Sequence, residues 1–436
     1  MGDEAGLAQT SKFPDSPAGG QARWFLEQVA SNGRTLTVED VADHMALVAP
    51  WTPAEGLERL RSGDARAFDV ANVVTHSATE IDVVLDYGDD KPFKLSITVD
   101  DQTQHRIVRL WWARAMADDI VIREAVAGDS PALNELEVRA PMTLGAATKF
   151  VYDRGEDFLA FARLMEENVC FVAERNGELL GIACGARHAV RIGGQHYTVM
   201  LLHHLRVPVE HRKGGIFSTL NGRVFGFYDG VTDGAYGYTS LENAEAMRIG
   251  GPGTWTAGVF RAVIDCATAA GPKHGRTATP HDAPAVVDIL NRGHANEEVY
   301  LPYTEASLAA RLERAPDLYT WEHVLVGDGA ALGVWPARLA VTIDDGTPVR
   351  TIRAVALDHG FVDGAEAEFE RLLRAYCSEL LQLGHTELTF MTSEGSPNYA
   401  LISKLAHRMD PFAFRMSVPE PPGTIERGVY VDAVYF

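Results

Sequence analysis

The period of the apolar positions changes along the chain. Gln21-Ala-Arg-Trp-Phe-Leu-Glu-Gln-Val-Ala30 has apolar residues at helical spacing and predicts a helix. Thr37–Ala46 predicts a second, with Thr37 as cap and Asp40 three residues on. A third helix begins at Thr52-Pro53, with proline in its first turn. The period then falls to two. Ala67–Val74, Glu80–Tyr87, Pro92–Val99 and Arg106–Trp112 predict four strands, joined in part by Gly88–Lys91 and Asp100–Gln104. Helices followed by an antiparallel meander predict a curved sheet with helices on one face over residues 1–115. His76 and Asp82 are candidates to line its concave side.

Beyond Trp112 one pattern occurs twice. Arg123-Glu-Ala-Val-Ala-Gly-Asp129-Ser-Pro131-Ala132 returns as Arg276-Thr-Ala-Thr-Pro-His-Asp282-Ala-Pro284-Ala285, at an offset of 276 − 123 = 153 residues. In each copy an edge strand and a polar turn with Asp as cap precede a helix. The first copy continues with strands Cys170–Glu174 and Leu179–Ile192, a glycine turn, strand Tyr197–Val207, helix Gly215–Tyr228, strand Ala235–Leu241 and helix Asn243–Ile249. The second has strands Trp321–Val326, Ala331–Thr342 and Arg350–Leu357, helix Ala365–Leu383, strand Glu387–Thr392 and helix Pro397–His407. A last strand is expected over Val429–Phe436.

A chain of 436 residues has room for several cores, and its 46% hydrophobic content is ordinary for a globular protein. The formal charge of −21 argues against a nucleic-acid partner and is compatible with a cationic amine. Four widely spaced cysteines form no Cys-x-x-Cys, so neither a zinc site nor a disulfide framework is expected, and a reduced, cytoplasmic setting is. The polar, acidic N-terminus lacks the form of a signal peptide, and no apolar run reaches the length of a membrane span.

Chemistry concentrates in Leu205-Arg-Val-Pro-Val-Glu-His-Arg-Lys-Gly-Gly-Ile-Phe-Ser-Thr-Leu220, where an apolar strand passes through a basic, glycine-rich turn into a helix. The free N–H groups and partial positive charge of a helix N-terminus suit a pyrophosphate. The segment resembles the acyl-CoA signature of the GNAT N-acetyltransferases, Gln/Arg-x-x-Gly-x-Gly/Ala after a strand. Arg212 and Gly215 match it, whereas Phe217 stands where Gly or Ala is usual. The plain alternative is an ordinary strand–turn–helix junction.

The resemblance covers residues 119–436 and implies an α+β fold of two tandem GNAT domains, 119–270 and 274–436. The meander of residues 1–115 resembles the cone-shaped ketosteroid-isomerase-like fold. In the first GNAT copy, Arg212, Lys213, Gly214, Gly215 and Ile216 would hold the coenzyme's diphosphate. Main-chain groups at Leu205 and Val207 would hold its pantetheine arm, and Asn243 would contact it from the next helix. The second copy has Asp358-His-Gly-Phe-Val-Asp-Gly364 at the matching place, with two carboxylates and no Lys or Arg, so it is expected to be degenerate.

The family transfers an acetyl group directly from acetyl-CoA to an amine. Base candidates are His203, expected to share a face with Leu205 and Val207, and Glu242. The family's Tyr acid falls at Gly250, so Tyr238, or Ser240, is the candidate replacement. The expected partner is a small-molecule primary amine, with no metal and no membrane; a homo-oligomer is left open. The alternative is a non-catalytic acyl-CoA or small-ligand sensor on the same scaffold.

Overall fold

The computed structural model describes residues 12–31, 36–46, 54, 57–58, 61, 68–88, 92–144, 148–212, 214–243, 255–419, 425–430 and 432. The expected third helix at Thr52-Pro53, the helix after Asn243, Lys213, Gly250 and most of the expected last strand lie outside them. The chain divides into two compact units. One comprises the chain up to Ile122 together with Glu210–Arg223; the other comprises Arg123–Val209 and most of the chain from Val224 onward.

In the first unit, β1 (Asp69–Thr75), β2 (Glu80–Asp86), β3 (Phe93–Val99) and β4 (Ile107–Arg114) form an antiparallel meander in chain order. Alternation sends Ile81, Val83 and Leu85 to one face, where the helix Pro17–Ser31 contributes Ala18, Ala22, Phe25 and Leu26 to the same core. The helix Val38–His44 starts at a capping box. Asp40 N–H donates to Thr37 Oγ1 at 3.1 Å, and Thr37 N–H donates to Asp40 Oδ2 at 2.8 Å. His76 and Asp82 do not line the core face. Asp82 alternates away from Ile81 and Val83 and pairs with Lys94 at 2.7 Å and half-exposed His76 at 2.9 Å.

The second unit is built on one 15-stranded mixed sheet with flanking helices. Its strands are β5 (Val121–Glu124), β6 (Met142–Leu144), β7 (Thr148–Asp153), β8 (Glu167–Arg175), β9 (Glu178–Ile192), β10 (Gln195–Arg206), β11 (Gly234–Ser240), β12 (Trp255–Asp265), β13 (Arg276–Thr277), β14 (Val299–Tyr300), β15 (Val324–Val326), β16 (Ala330–Asp344), β17 (Val349–Phe361), β18 (Glu387–Ser393) and β19 (Arg408–Ser417). The main path runs β13-β15-β16-β17-β18-β12-β19-β11-β10-β9-β8-β5. Positive-φ residues make the turns expected: Asn176 and Gly177 between β8 and β9, Gly193 and Gly194 between β9 and β10.

The recurring Arg and Asp have a structural purpose. Arg123 donates twice to Asp129, at 2.8 Å each, while Asp129 accepts the Val126 N–H. Arg276 likewise donates twice to Asp282, which accepts the Thr279 N–H. In each case an edge-strand arginine braces the turn that starts a helix. β11 and β18, each seven residues long, stand at the same 153-residue offset.

β12 and β19 are absent from the sequence-level reading, and they join the two halves of the sheet at its middle. β12 pairs with β18, β19 pairs with β11, and the two pair antiparallel with each other. Arg261 on β12 is opposite Asp410 on β19 and donates to its Oδ2 at 2.9 Å in the buried interior.

Two expected boundaries change. Trp321–His323 is a 3-10 turn, so β15 begins only at Val324. β17 does not stop at Leu357 but runs through Phe361, which takes Asp358 and His359 into the strand and fully buries both.

Candidate active site

β10 carries the local irregularity that a binding strand needs. Its pairing with β9 is regular through His203↔Cys184, then jumps to Arg206↔Ile182. His204 has φ of +48°, so His204 and Leu205 form a bulge. Parallel pairing with β11 covers only Val199↔Gly234 to Leu202↔Gly237. Beyond it, β11 continues against β19 alone, from Tyr238↔Phe414 to Ser240↔Phe412, and the two parallel strands part.

The bulge breaks the alternation expected for His203. Its side chain does not stand apart from that of His204: the two Nδ1 atoms are 2.8 Å apart, and both rings are buried. Asn168 Nδ2 is a donor and lies 3.0 Å from His203 Nε2, so that nitrogen accepts. His203 therefore donates from Nδ1 to His204 Nδ1, and His204 carries its proton on Nε2, a buried atom with no partner among the described residues. Phe161 stacks on His204 with centroids 4.0 Å apart and planes within 2°. Burial holds both imidazoles well below their ordinary pKa, so both are neutral. With both nitrogens engaged, His203 is a core residue here and is not poised to take a proton.

Leu205 and Val207 follow, the first half-buried and the second buried. Tyr238 packs edge-on against Tyr236 at 5.8 Å and against Phe414 at 5.4 Å. Burial raises its phenol well above the ordinary value and keeps it protonated. Glu242 is exposed just past β11, its N–H donating to Ser240 Oγ at 3.3 Å. The Asn243 N–H donates to the Ser240 carbonyl at 3.0 Å.

The glycine turn belongs to the other compact unit. After a 3-10 turn over Val209–His211, the Gly214 N–H donates to the His211 carbonyl at 3.0 Å. Gly215 has φ of +76°, Ile216 is buried, and the helix Ile216–Phe227 begins. Arg212 is exposed. A Cβ on Gly215 would lie 2.2 Å from the Arg114 carbonyl oxygen and 2.9 Å from that of Ala115. That side of Gly215 is filled by the protein's own main chain. On Gly214 an added Cβ would meet the His211 carbonyl oxygen at 3.2 Å and nothing else within 4 Å.

In the second half the expectation of two carboxylates at the turn is corrected. Asp358 lies inside β17, where Tyr319 donates to it at 2.8 Å, Arg311 at 3.1 Å, and Tyr303 donates as well. Arg311 also pairs with Asp432 at 2.6 Å. Only Asp363 is left at the turn itself, with Glu366 and Glu368 in the first turn of the following helix.

Sequence reasoning missed Glu137, Arg154 and Arg206, which lie behind the bulge. Arg206 Nε is 3.4 Å from buried Glu137 Oε2, and Arg154 lies close enough to feel the Glu137 carboxylate. Their signal was faint: Arg154 follows β7, a strand with no repeat partner in the pattern.

No family model matches the sequence, and no curated protein matches it. Solved structures do. Saccharomyces cerevisiae N-myristoyltransferase with bound myristoyl-CoA aligns over 74% of this chain and 86% of its own, with a TM-score of 0.52 and 9% identity. A second structure of that yeast enzyme, with myristoyl-CoA and inhibitors, aligns over 74% and 84% with a TM-score of 0.51 and 9% identity. Three quarters of the chain thus has the fold of an N-acyltransferase. At that identity the likeness is one of fold.

Proposed function

We propose that this chain is a GNAT-type N-acyltransferase that moves an acetyl group from acetyl-CoA to the amine of a small molecule in the cytoplasm. On this reading the large sheet holds two GNAT repeats, 119–270 and 274–436, and residues 1–115 form a cone-like domain. The observation that carries the proposal is the parting of β10 from β11 at the His204 bulge. Past the bulge the chain turns at a positive-φ glycine into a helix.

Acetyl-CoA supplies an activated acyl group. Arg212, Lys213 and the amides around Gly214, Gly215 and Ile216 bind its diphosphate, Leu205 and Val207 orient its arm, and Asn243 adds a polar contact. Glu242, exposed to solvent, takes the proton released by the amine. Tyr238 is the proposed proton donor to the departing thiolate; burial keeps it protonated at neutral pH but also makes it a weaker acid.

Acetyl-CoA at about 100 times its dissociation constant should stabilise the protein by about 2.7 kcal/mol, read as a rise in melting temperature. Arg212→Glu should remove the rise. It is a cleaner variant than any side chain at Gly215, which would collide with Arg114 whether or not coenzyme binds. No shift with any acyl-CoA would overturn the proposal.

Two observations favour the sensor as a second reading: the main chain packed on Gly215 and the engaged nitrogens of His203. Thiol release from acetyl-CoA over a panel of amines separates the two. Binding without turnover selects the sensor.

A further inference from the structure

Cys170 on β8 and Cys184 on β9 are direct partners across the antiparallel ladder. The Cys170 carbonyl accepts the Ala125 N–H at 2.8 Å, on the β5 side of the strand. Both main-chain groups of a strand residue face the same edge, so those of Cys170 point away from β9. Cys170 and Cys184 are therefore a non-hydrogen-bonded pair, the kind that brings Cα atoms to about 4.5 Å. That lies inside the range of roughly 4.4–6.8 Å that a disulfide spans. Both are buried free thiols in one core, and Cys184 hydrogen-bonds to Cys170.

The pair opens a chain of hydrogen bonds that ends in the β10 bulge. The Cys170 Sγ–H donates to Asn168 Oδ1 at 3.2 Å, the bond that this oxygen accepts among the described residues. The two hydrogens of Asn168 Nδ2 go to Met165 Sδ at 2.7 Å and to His203 Nε2 at 3.0 Å. His203 Nδ1 then donates to His204 Nδ1 at 2.8 Å. Every donor along this path points from the thiols toward His204. The Cys170 proton thus fixes which way the Asn168 amide faces, and the amide fixes which nitrogen of His203 accepts.

We propose that Cys170 and Cys184 form a redox switch: a peroxide joins them in a disulfide, and Asn168 passes the change to His203 in the bulge. The Cys184 thiolate attacks one oxygen of hydrogen peroxide, the O–O bond breaks, and a sulfenic acid forms while the released hydroxide takes up a proton as water. The Cys170 sulfur then displaces the sulfenic hydroxyl, which leaves with the Cys170 proton as a second water. Two thiols and one peroxide give one disulfide and two waters. Burial pushes the Cys184 thiol well up, against the pull of Arg154 and Arg206 toward the thiolate, so the packed pair reacts slowly. Once bridged, Cys170 has no S–H to give. Asn168 Oδ1 loses its donor, and the amide no longer has a reason to keep its N–H groups on His203. The switch does not depend on the transferase reading.

The test treats the full-length protein, without coenzyme, with hydrogen peroxide, blocks remaining thiols by alkylation and digests with trypsin. Cleavage after Arg163, Arg175 and Arg187 puts Cys170 in peptide 164–175 and Cys184 in peptide 176–187. The two should emerge as one linked species, lighter than their sum by two hydrogen atoms, and should separate when a reducing thiol is added. Before digestion, the nitrogen-15 resonance of His203 Nε2 should move on oxidation and return on reduction. Cys170→Ser keeps a donor for Asn168 but cannot form the bridge, so its His203 signal should match that of reduced wild type and ignore peroxide. Free thiols after exhaustive oxidation, sulfinic acid without a linked species, or linked peptides with an unmoved His203 signal would each overturn the proposal.

Discussion

Gly215 illustrates how a short motif carries two constraints at once. Its φ of +76° is open to glycine at little cost, and the Arg114 carbonyl occupies the space a side chain would need. Gly215→Ala should cost about 1–2 kcal/mol for the left-handed backbone alone, with more from the collision. A lower denaturant midpoint at unchanged slope would register it. The buried histidines make a second residue-level prediction. Burial depresses His203 and His204 well below their ordinary value, His188 to about 4 and His359 to about 3. Below about pH 6.5 the unfolded chain protonates these rings while the folded chain does not. Folding stability should therefore fall as pH drops from 6.5 toward 4, by up to about 1.4 kcal/mol per pH unit for each such histidine. His294 runs the other way. Its pKa is raised through Glu297 and the His359 carbonyl despite the opposing effect of burial, so its contribution is present below pH 6.5 and is lost as pH rises through its folded value. Urea titrations across pH should show both limbs, and His294→Gln should remove the alkaline one.

At the scale of elements, period and turn chemistry located the meander to within a residue or two and the hairpin turns in their places. The Asn176-Gly177 turn and the capping box at Thr37 are local signals that long-range packing did not need to override. β12 and β19 were illegible for the opposite reason. Their partners lie far away in the chain, and each holds a charged residue inside the sheet, Arg261 and Asp410, which spoils an apolar reading. The site was only partly legible. The bulge at His204 depends on tertiary packing, so the strict alternation expected from His203 to Leu205 and Val207 does not hold. Arg261→Ala should cost about 3–5 kcal/mol by leaving Asp410 buried without its main partner. Arg261→Met paired with Asp410→Leu should recover much of that in thermal melts.

For the whole molecule, the crossing of β12 and β19 ties the two halves of the large sheet together. The segment 119–270 expressed alone would lack β19 beside β11, and 274–436 alone would lack β12 beside β18. Neither should give a cooperative unfolding transition by itself, whereas mixing the two should restore one. Deleting residues 1–115 is no neutral cut either. Arg114 and Ala115 pack on Gly215, and the Trp111 ring lies 3.8 Å from where a Cβ on Gly222 would sit.

Synthesis order gives the crossing a further consequence. β11 is complete once Ser240 has been made, yet its neighbour β19 starts 168 residues later (408 − 240). At roughly 5–20 residues per second on the ribosome, an unpaired strand edge waits on the order of 10–30 s for its mate. An open edge of that kind invites pairing with other nascent chains, so the yield of soluble protein should depend on chaperone supply and translation speed far more than its finished stability would imply.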